Sequence, residues 1–252
     1  MASSSRAATI WKADRGTAFY IGVAWAAGIA ALVGFSTTYW LPIARRTFAG
    51  PTVAHVHGLF FFAWIALLVA QVHFARARQI RTHQRLGNVA LPLAAAMALS
   101  GFGVGMMAVR RDLAAGLTEP SPYSQLTGVV SAMLALLACV AAAYANRKRP
   151  DWHKRLILLA TVAIWWPAWF RWRHLMQWVP HPDIWLAVVV PDSLLLIAAL
   201  RDRMKFGRVH PVYLWFGSLL IADHVVETLL FDTPVWRASA QALFRLLAAV
   251  GY

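Results

Sequence analysis

From His55 to Gly87 the chain reads HVHGLFFFAWIALLVAQVHFARARQIRTHQRLG. An apolar run broken only by Gln71 and His73 leads into a short turn with Arg76, Arg78 and Arg81. His83 and Arg85 then open the next apolar run. The pattern recurs along the chain, and it sharply limits the possible folds. A helix needs roughly 20 apolar residues to cross about 30 Å of hydrocarbon. Inside that hydrocarbon only helices and closed barrels satisfy their own backbone. Seven runs qualify, at about 17–42, 55–75, 86–108, 125–145, 155–176, 184–200 and 211–231. The sequence therefore predicts an all-α fold, a polytopic transmembrane bundle of seven helices forming a single domain over residues 1–252. A composition of 60% hydrophobic and 13% charged residues excludes a soluble domain.

The formal charge of +14 would suggest nucleic acid as the partner of a soluble chain. Here the basic residues lie in turns, so the positive-inside rule accounts for them and no nucleic-acid partner is expected. With the N-terminus inside, sixteen Lys and Arg fall on the inner side, Arg6, Lys12, Arg15 and Arg155 among them. Eight fall outside, including Arg171, Arg173, Arg237 and Arg245. This split predicts an N-in, C-out topology. The polar start MASSSRAATIWKADRG then reads as a cytoplasmic leader, not a cleaved signal peptide. Residues 234–250 have apolar positions at helical spacing and two arginines, which predicts an amphipathic helix on the outer membrane surface. Cys139 is alone, so neither an intrachain disulfide nor a cysteine-based metal site is expected.

Three inner turns, RQIRTHQRLG, RKRPDWHKRL and KFGRVHPVYL, each place a histidine at the start of a span. Spans 2–3, 4–5 and 6–7 thus read as three related hairpins after a lone first helix. His83, His153 and His210 have a plain reading as interfacial residues among arginines. A sharper reading is an inner-face metal or haem site that His73 could join.

The outer half carries more chemistry. Asp192, Asp223 and Glu227 lie inside apolar runs, where an ionisable group normally faces the bundle interior and has a partner. Asp192 follows Pro191, roughly 12 Å below the outer surface. His224 and Glu227 are three apart and share a helix face. His55 and His57 enter from the same side, but they can both face inward only if Ala54–His55 is still loop. His57, Trp64 and Gln71 recur every seven residues on one face. Trp165, Trp166, Trp169, Arg171 and Trp172 come to the same depth after a Pro167 kink. One outer pocket of His57, Arg171, Asp192, His224 and Glu227 follows. The competing reading is a buried structural network in which Arg171 pairs with Asp192 or Glu227.

Neutral imidazole is the commonest metal ligand, and carboxylates complete hard sites. The expected metal ligands are His55, His57, His224 and Glu227, for copper, iron or zinc. The expected cofactor-binding set is His57, His224, Arg171 and Asp192, with haem b as the organic alternative. The preferred function is respiratory redox or its maturation, in partnership with the lipid bilayer and a respiratory membrane complex. The alternatives are a transporter or small-molecule binding protein bent at Pro167 and Pro191, and an assembly subunit whose polar groups only fix helix packing. No phosphate loop, Gly-x-Ser-x-Gly, His-Glu-x-x-His or nucleotide fingerprint occurs.

HVHGLFFFAW, Gln71, THQRLG, DWHKRLILLATVA and GRVHPVYLW together resemble a group of uncharacterised bacterial multi-pass membrane proteins, over roughly residues 55–220. The resemblance implies a helical membrane fold and a bacterial inner-membrane location. The His-Arg-Leu-Gly element is more remotely similar to respiratory-oxidase maturation proteins and cytochrome b-type proteins, which implies haem or copper. Spans 3 and 4 carry no histidine, a departure from a two-haem cytochrome b.

Overall fold

The computed structural model describes residues 17–252, and all regular structure among them is helical. The leader with Arg6, Lys12 and Arg15 lies outside the described residues. Nine helices of eight or more residues organise the described residues: α1 Thr17–Gly34, α2 Thr52–Arg76, α3 Ile80–Gly87, α4 Ala90–Ala114, α5 Ser124–Ala145, α6 Pro150–Ala163, α7 Val190–Phe206, α8 Ser218–Leu230 and α9 Pro234–Ala249. Six helical stretches are long and apolar enough to cross a membrane: 17–34, 52–76, 80–114, 124–145, 182–206 and 212–230. They match six of the seven expected runs. Those stretches carry apolar side chains on their outer faces, with Ile29 54%, Leu59 66%, Leu196 62% and Leu219 69% exposed. A soluble protein does not leave apolar surface of this extent uncovered.

The remaining expected span, 155–176, is helical in pieces. α6 stops at Ala163, a short helix covers Trp166–Phe170, and a 3₁₀ turn covers Arg171–His174. Pro167 explains the break. It has no N–H to donate, and its ring would clash with the carbonyl four residues back. α6 is nonetheless the centre of the molecule. Leu156, Leu159, Ala160, Val162 and Ala163 are each at most 1% exposed. α5 packs along both α4 and α6, α2 joins α4 to α1, and α7 and the 212–217 turn reach α6 from its remaining side. The Trp166–Phe170 piece rests on α1. Gly34 permits that approach, because a Cβ there would lie 2.1 Å from the Ala168 carbonyl oxygen. The Trp172 indole donates to the Ala30 carbonyl at 3.1 Å beside it.

Three π-helical turns interrupt the bundle, at Ser36–Trp40, Trp185–Val189 and Val212–Gly217. Such turns add one residue to a helical ladder and often mark functional positions. The second runs directly into α7, and the third runs directly into α8.

α9 begins as its sequence requires. Thr233 caps it by accepting the Trp236 N–H, and Pro234 fills the first position. The helix docks on α4 and α5. Trp236 is buried and donates to the Ser124 carbonyl at 2.9 Å. Leu243, Phe244 and Leu247 pack against Met106, Val109 and Leu126. Asp232 anchors this connection, accepting from the Ser124 hydroxyl at 2.6 Å, the Ser121 amide at 2.9 Å and Arg237 at 2.6 Å. Burial alone would raise the Asp232 carboxyl, but these donors outweigh it and hold the group below the ordinary aspartate value. A depressed carboxylate contributes stability that is complete above its unfolded value, 3.8 here, and is lost as pH falls through the folded value. Docking of residues 234–249, followed by hydrogen exchange in detergent, is therefore expected to be constant at neutral pH and to weaken below about pH 3.8. Asp232→Asn should loosen the helix at neutral pH and flatten that acid dependence.

Candidate functional site

Two buried polar clusters lie at opposite ends of α7. At its start, Pro191 and Asp192 follow the π turn 185–189. Asp192 and His224 are 5% and 6% exposed. The His224 Nδ1 lies 2.9 Å and 3.1 Å from the two Asp192 oxygens. A carboxylate only accepts, so Nδ1 carries the proton. Glu227, one turn along α8, accepts from the Ser131 hydroxyl of α5. Gly128 makes room for it, since a Cβ there would sit 3.2 Å from a Glu227 oxygen. The fields of Glu227 and Asp223 both reach His224. α8 is thus tied to α7 through Asp192 and to α5 through Glu227.

The other expected pocket residues stand apart from this pair. α2 starts at Thr52, so His55 and His57 are both helical and point to different sides. His55 is exposed and bonds Tyr39 at 2.9 Å. His57 is half-buried, and its Nδ1 lies 3.3 Å from Ser100 of α4. The Ser100 hydroxyl already donates to the Met97 carbonyl, so it accepts from His57. Arg171 donates to the Pro167 carbonyl and stacks 4.2 Å above the Phe35 ring. Among the described residues it meets neither Asp192 nor Glu227, which corrects the pairing expected from sequence. Its charge is felt at His57 instead. Among the described residues no three His, Cys, Asp or Glu side chains are grouped to hold a metal ion. The set His55, His57, His224 and Glu227 is therefore not gathered into one site. Trp64, Trp165 and Trp169 carry buried indole N–H groups that lack a partner among the described residues. An open apolar groove of about 540 Å³ runs between α1 and α2 past Trp25, Ile29, Phe62 and His73. It offers a hydrocarbon chain contact and gives a polar solute almost nothing to bind.

The second cluster escaped the sequence reading. Arg155 and Asp202 are both fully buried and form a two-pronged pair, Nε–Oδ2 2.9 Å and Nη2–Oδ1 2.8 Å. Arg155 also donates to the Asp151 carbonyl at 2.8 Å and faces the Tyr213 ring. His210, whose plain reading from sequence is interfacial, is 1% exposed. Its Nδ1 accepts the Val212 N–H at 3.2 Å, so the ring proton sits on Nε2, 3.5 Å from Asp151. Tyr20 and Tyr213 meet hydroxyl to hydroxyl at 3.4 Å. Arg155 therefore leaves the set of turn charges used to orient the chain. A signal was present in DWHKR and LRDRM, where single acids sit among basic residues at the ends of apolar runs.

Removing one member of a buried ion pair strands the other charge and costs about 3–5 kcal/mol. Arg155→Met and Asp202→Leu should each lower the unfolding midpoint in detergent by that equivalent. The double variant should recover most of the loss, since an apolar pair of similar volume replaces a satisfied ion pair at little cost. Additive losses would show that the two residues act separately. No protein-family model, curated protein or solved structure matches the chain, so the assignment of function rests on these two clusters.

Proposed function

We propose that this is a seven-span bacterial inner-membrane protein that binds or carries a small polar solute, with the His224–Asp192 pair taking up and releasing a proton as it does so. The observation that carries the reading is the position of the pair. Asp192 sits in the first turn of α7, directly after a π turn and Pro191, and its partner lies on α8, which also begins from a π turn. Buried ionisable groups in apolar spans are costly and mark solute or proton paths. Interrupted helices at such groups are a recurrent feature of transporters. Glu227 and Asp223 nearby supply further carboxylates. The six long helices and the broken segment 150–174 together make seven crossings in this reading. The resemblance to bacterial multi-pass proteins supports the location. The transition-metal and haem b readings for respiratory redox have imidazoles available, but among the described residues no three His, Cys, Asp or Glu side chains are grouped to hold a metal. The reading as a subunit of a respiratory complex has only the apolar exterior in its favour.

Proteoliposomes loaded with a pH-sensitive dye test the function. Small organic acids, amines and amino acids are added singly under an imposed potential. At least one should drive proton uptake above that of empty vesicles. Asp192→Asn and His224→Gln should abolish it, while the Arg155→Met/Asp202→Leu double variant retains it. Wild-type vesicles no more permeable to protons than empty ones, with every solute, would refute the reading.

The N-in, C-out topology has its own check. A reporter active only in the periplasm should be active when fused after Tyr252 and silent when fused within 147–151. The reverse pattern would invert the orientation.

A further inference from the structure

The turn histidines His83 and His153 come from different hairpins, yet their rings meet, with centroids 6.2 Å apart at 79°. Each is held the same way. The His83 Nδ1 lies 3.2 Å from the Gln71 carbonyl oxygen, and the His153 Nδ1 lies 2.9 Å from the Ala143 carbonyl oxygen. A carbonyl only accepts, so both Nδ1 atoms carry protons. In a neutral ring the lone pair then belongs to Nε2. Neither Nε2 has a hydrogen-bond partner among the described residues. A backbone carbonyl orienting the far nitrogen is the usual support of a metal-binding imidazole.

A second observation comes from Gln71 on α2. Its amide nitrogen donates to the His83 carbonyl at 3.1 Å, and its amide oxygen is buried with no partner among the described residues. A buried acceptor left empty is costly, and a cation would satisfy it. Two imidazoles on one ion, with metal–nitrogen bonds of about 2.1 Å, have centroids roughly 5–6.4 Å apart depending on bond angle. The observed 6.2 Å lies at the wide end of that range, so the rings would close by about 1 Å around a tetrahedral ion.

We infer that His83, His153 and Gln71 form a binding site for one divalent transition-metal cation, of zinc type, at the end of the bundle that carries the basic turns. Two nitrogens and one amide oxygen suit a borderline ion, with water in the fourth position. Arg81, Arg85 and Arg149 belong to the same turns and repel any cation. Binding therefore depends on direct imidazole bonds, and magnesium and calcium should not compete. The ion would pin α2, α3 and α6 together where the hairpins turn. This site is independent of the Asp192–His224 pair and of the function proposed for it.

The test uses the full-length chain in detergent, stripped with chelator and then titrated with zinc against a competing indicator. One zinc per chain is expected, undisturbed by excess magnesium. His83→Gln and His153→Gln should each weaken binding at least 30-fold, and Gln71→Leu about 5-fold. His73→Gln should leave binding unchanged. Copper(II) loaded into the wild-type protein should show two imidazole nitrogens by electron paramagnetic resonance, a readout that needs no variant to fold. Three results would each overturn the site: substoichiometric zinc in the wild type, binding indifferent to both histidine changes, or a Soret band in the isolated protein that disappears with them.

Discussion

An arginine and an aspartate with no access to solvent are buried between α6 and α7, at the end of the bundle that carries the basic turns. Taken singly, either would be intolerable there, since the penalty for burying an unpaired ion is several kcal/mol. Together, Arg155 and Asp202 form two parallel charge-assisted hydrogen bonds, and the third guanidinium nitrogen closes on the Asp151 carbonyl. This geometry fixes the register of α7 against α6. The surrounding helices inherit that register. α5 packs on α6, α4 and α2 pack outward from α5, and the 212–217 turn brings Tyr213 over the guanidinium. Apolar side chains alone would leave neighbouring helices free to slide, because lipid tails are as apolar as leucine. The ion pair and the hydrogen bonds between helices set their positions.

Asp192 and Asp202 occupy the same helix, ten residues apart, and each bonds a different neighbour. α7 is therefore a polar spine with one acid near each end. The two ends differ in backbone geometry. The Asp202 end sits in regular helix and engages a rigid fork. The Asp192 end follows a π turn and a proline, so its backbone can change its hydrogen-bond pattern with little disruption. A functional change at the His224 end can thus occur while the Arg155 end holds the bundle together.

Most of the architecture was legible in the sequence because hydropathy over twenty residues is a strong signal. The six long helices, and α9 after them, lie where the apolar runs and helical spacing put them. The fifth run failed as a single helix at Pro167, a residue already recognised as a bend. The outer cluster was half legible. Acids inside apolar runs pointed to Asp192 and Glu227, and one-turn spacing joined His224 to Glu227. Three residues fell outside the cluster because only geometry decides them: His57 of the expected pocket bonds Ser100 of α4 instead. His55 turns away once α2 begins at Thr52, and Arg171 is satisfied by a carbonyl and the Phe35 ring. The Arg155–Asp202 pair stayed hidden because both residues border turns, where a charge normally means solvent. Burial by neighbouring hairpins has no local signature in a chain read one segment at a time.

The central position of α6 has a consequence for how the molecule is made. The segment is 14 residues long and carries Lys154 and Arg155, and Arg155 is fully buried in the finished bundle, where a charge without its partner costs several kcal/mol. Its counter-charge, Asp202, is 47 residues further along the chain. At about 5–20 residues per second, a ribosome supplies that partner roughly 2–10 seconds later. During this interval α6 must wait beside α5 or within the insertion machinery. The most buried helix of the finished protein is therefore among the last to settle, and variants at Asp202 would be cleared during biosynthesis more readily than their equilibrium stability implies.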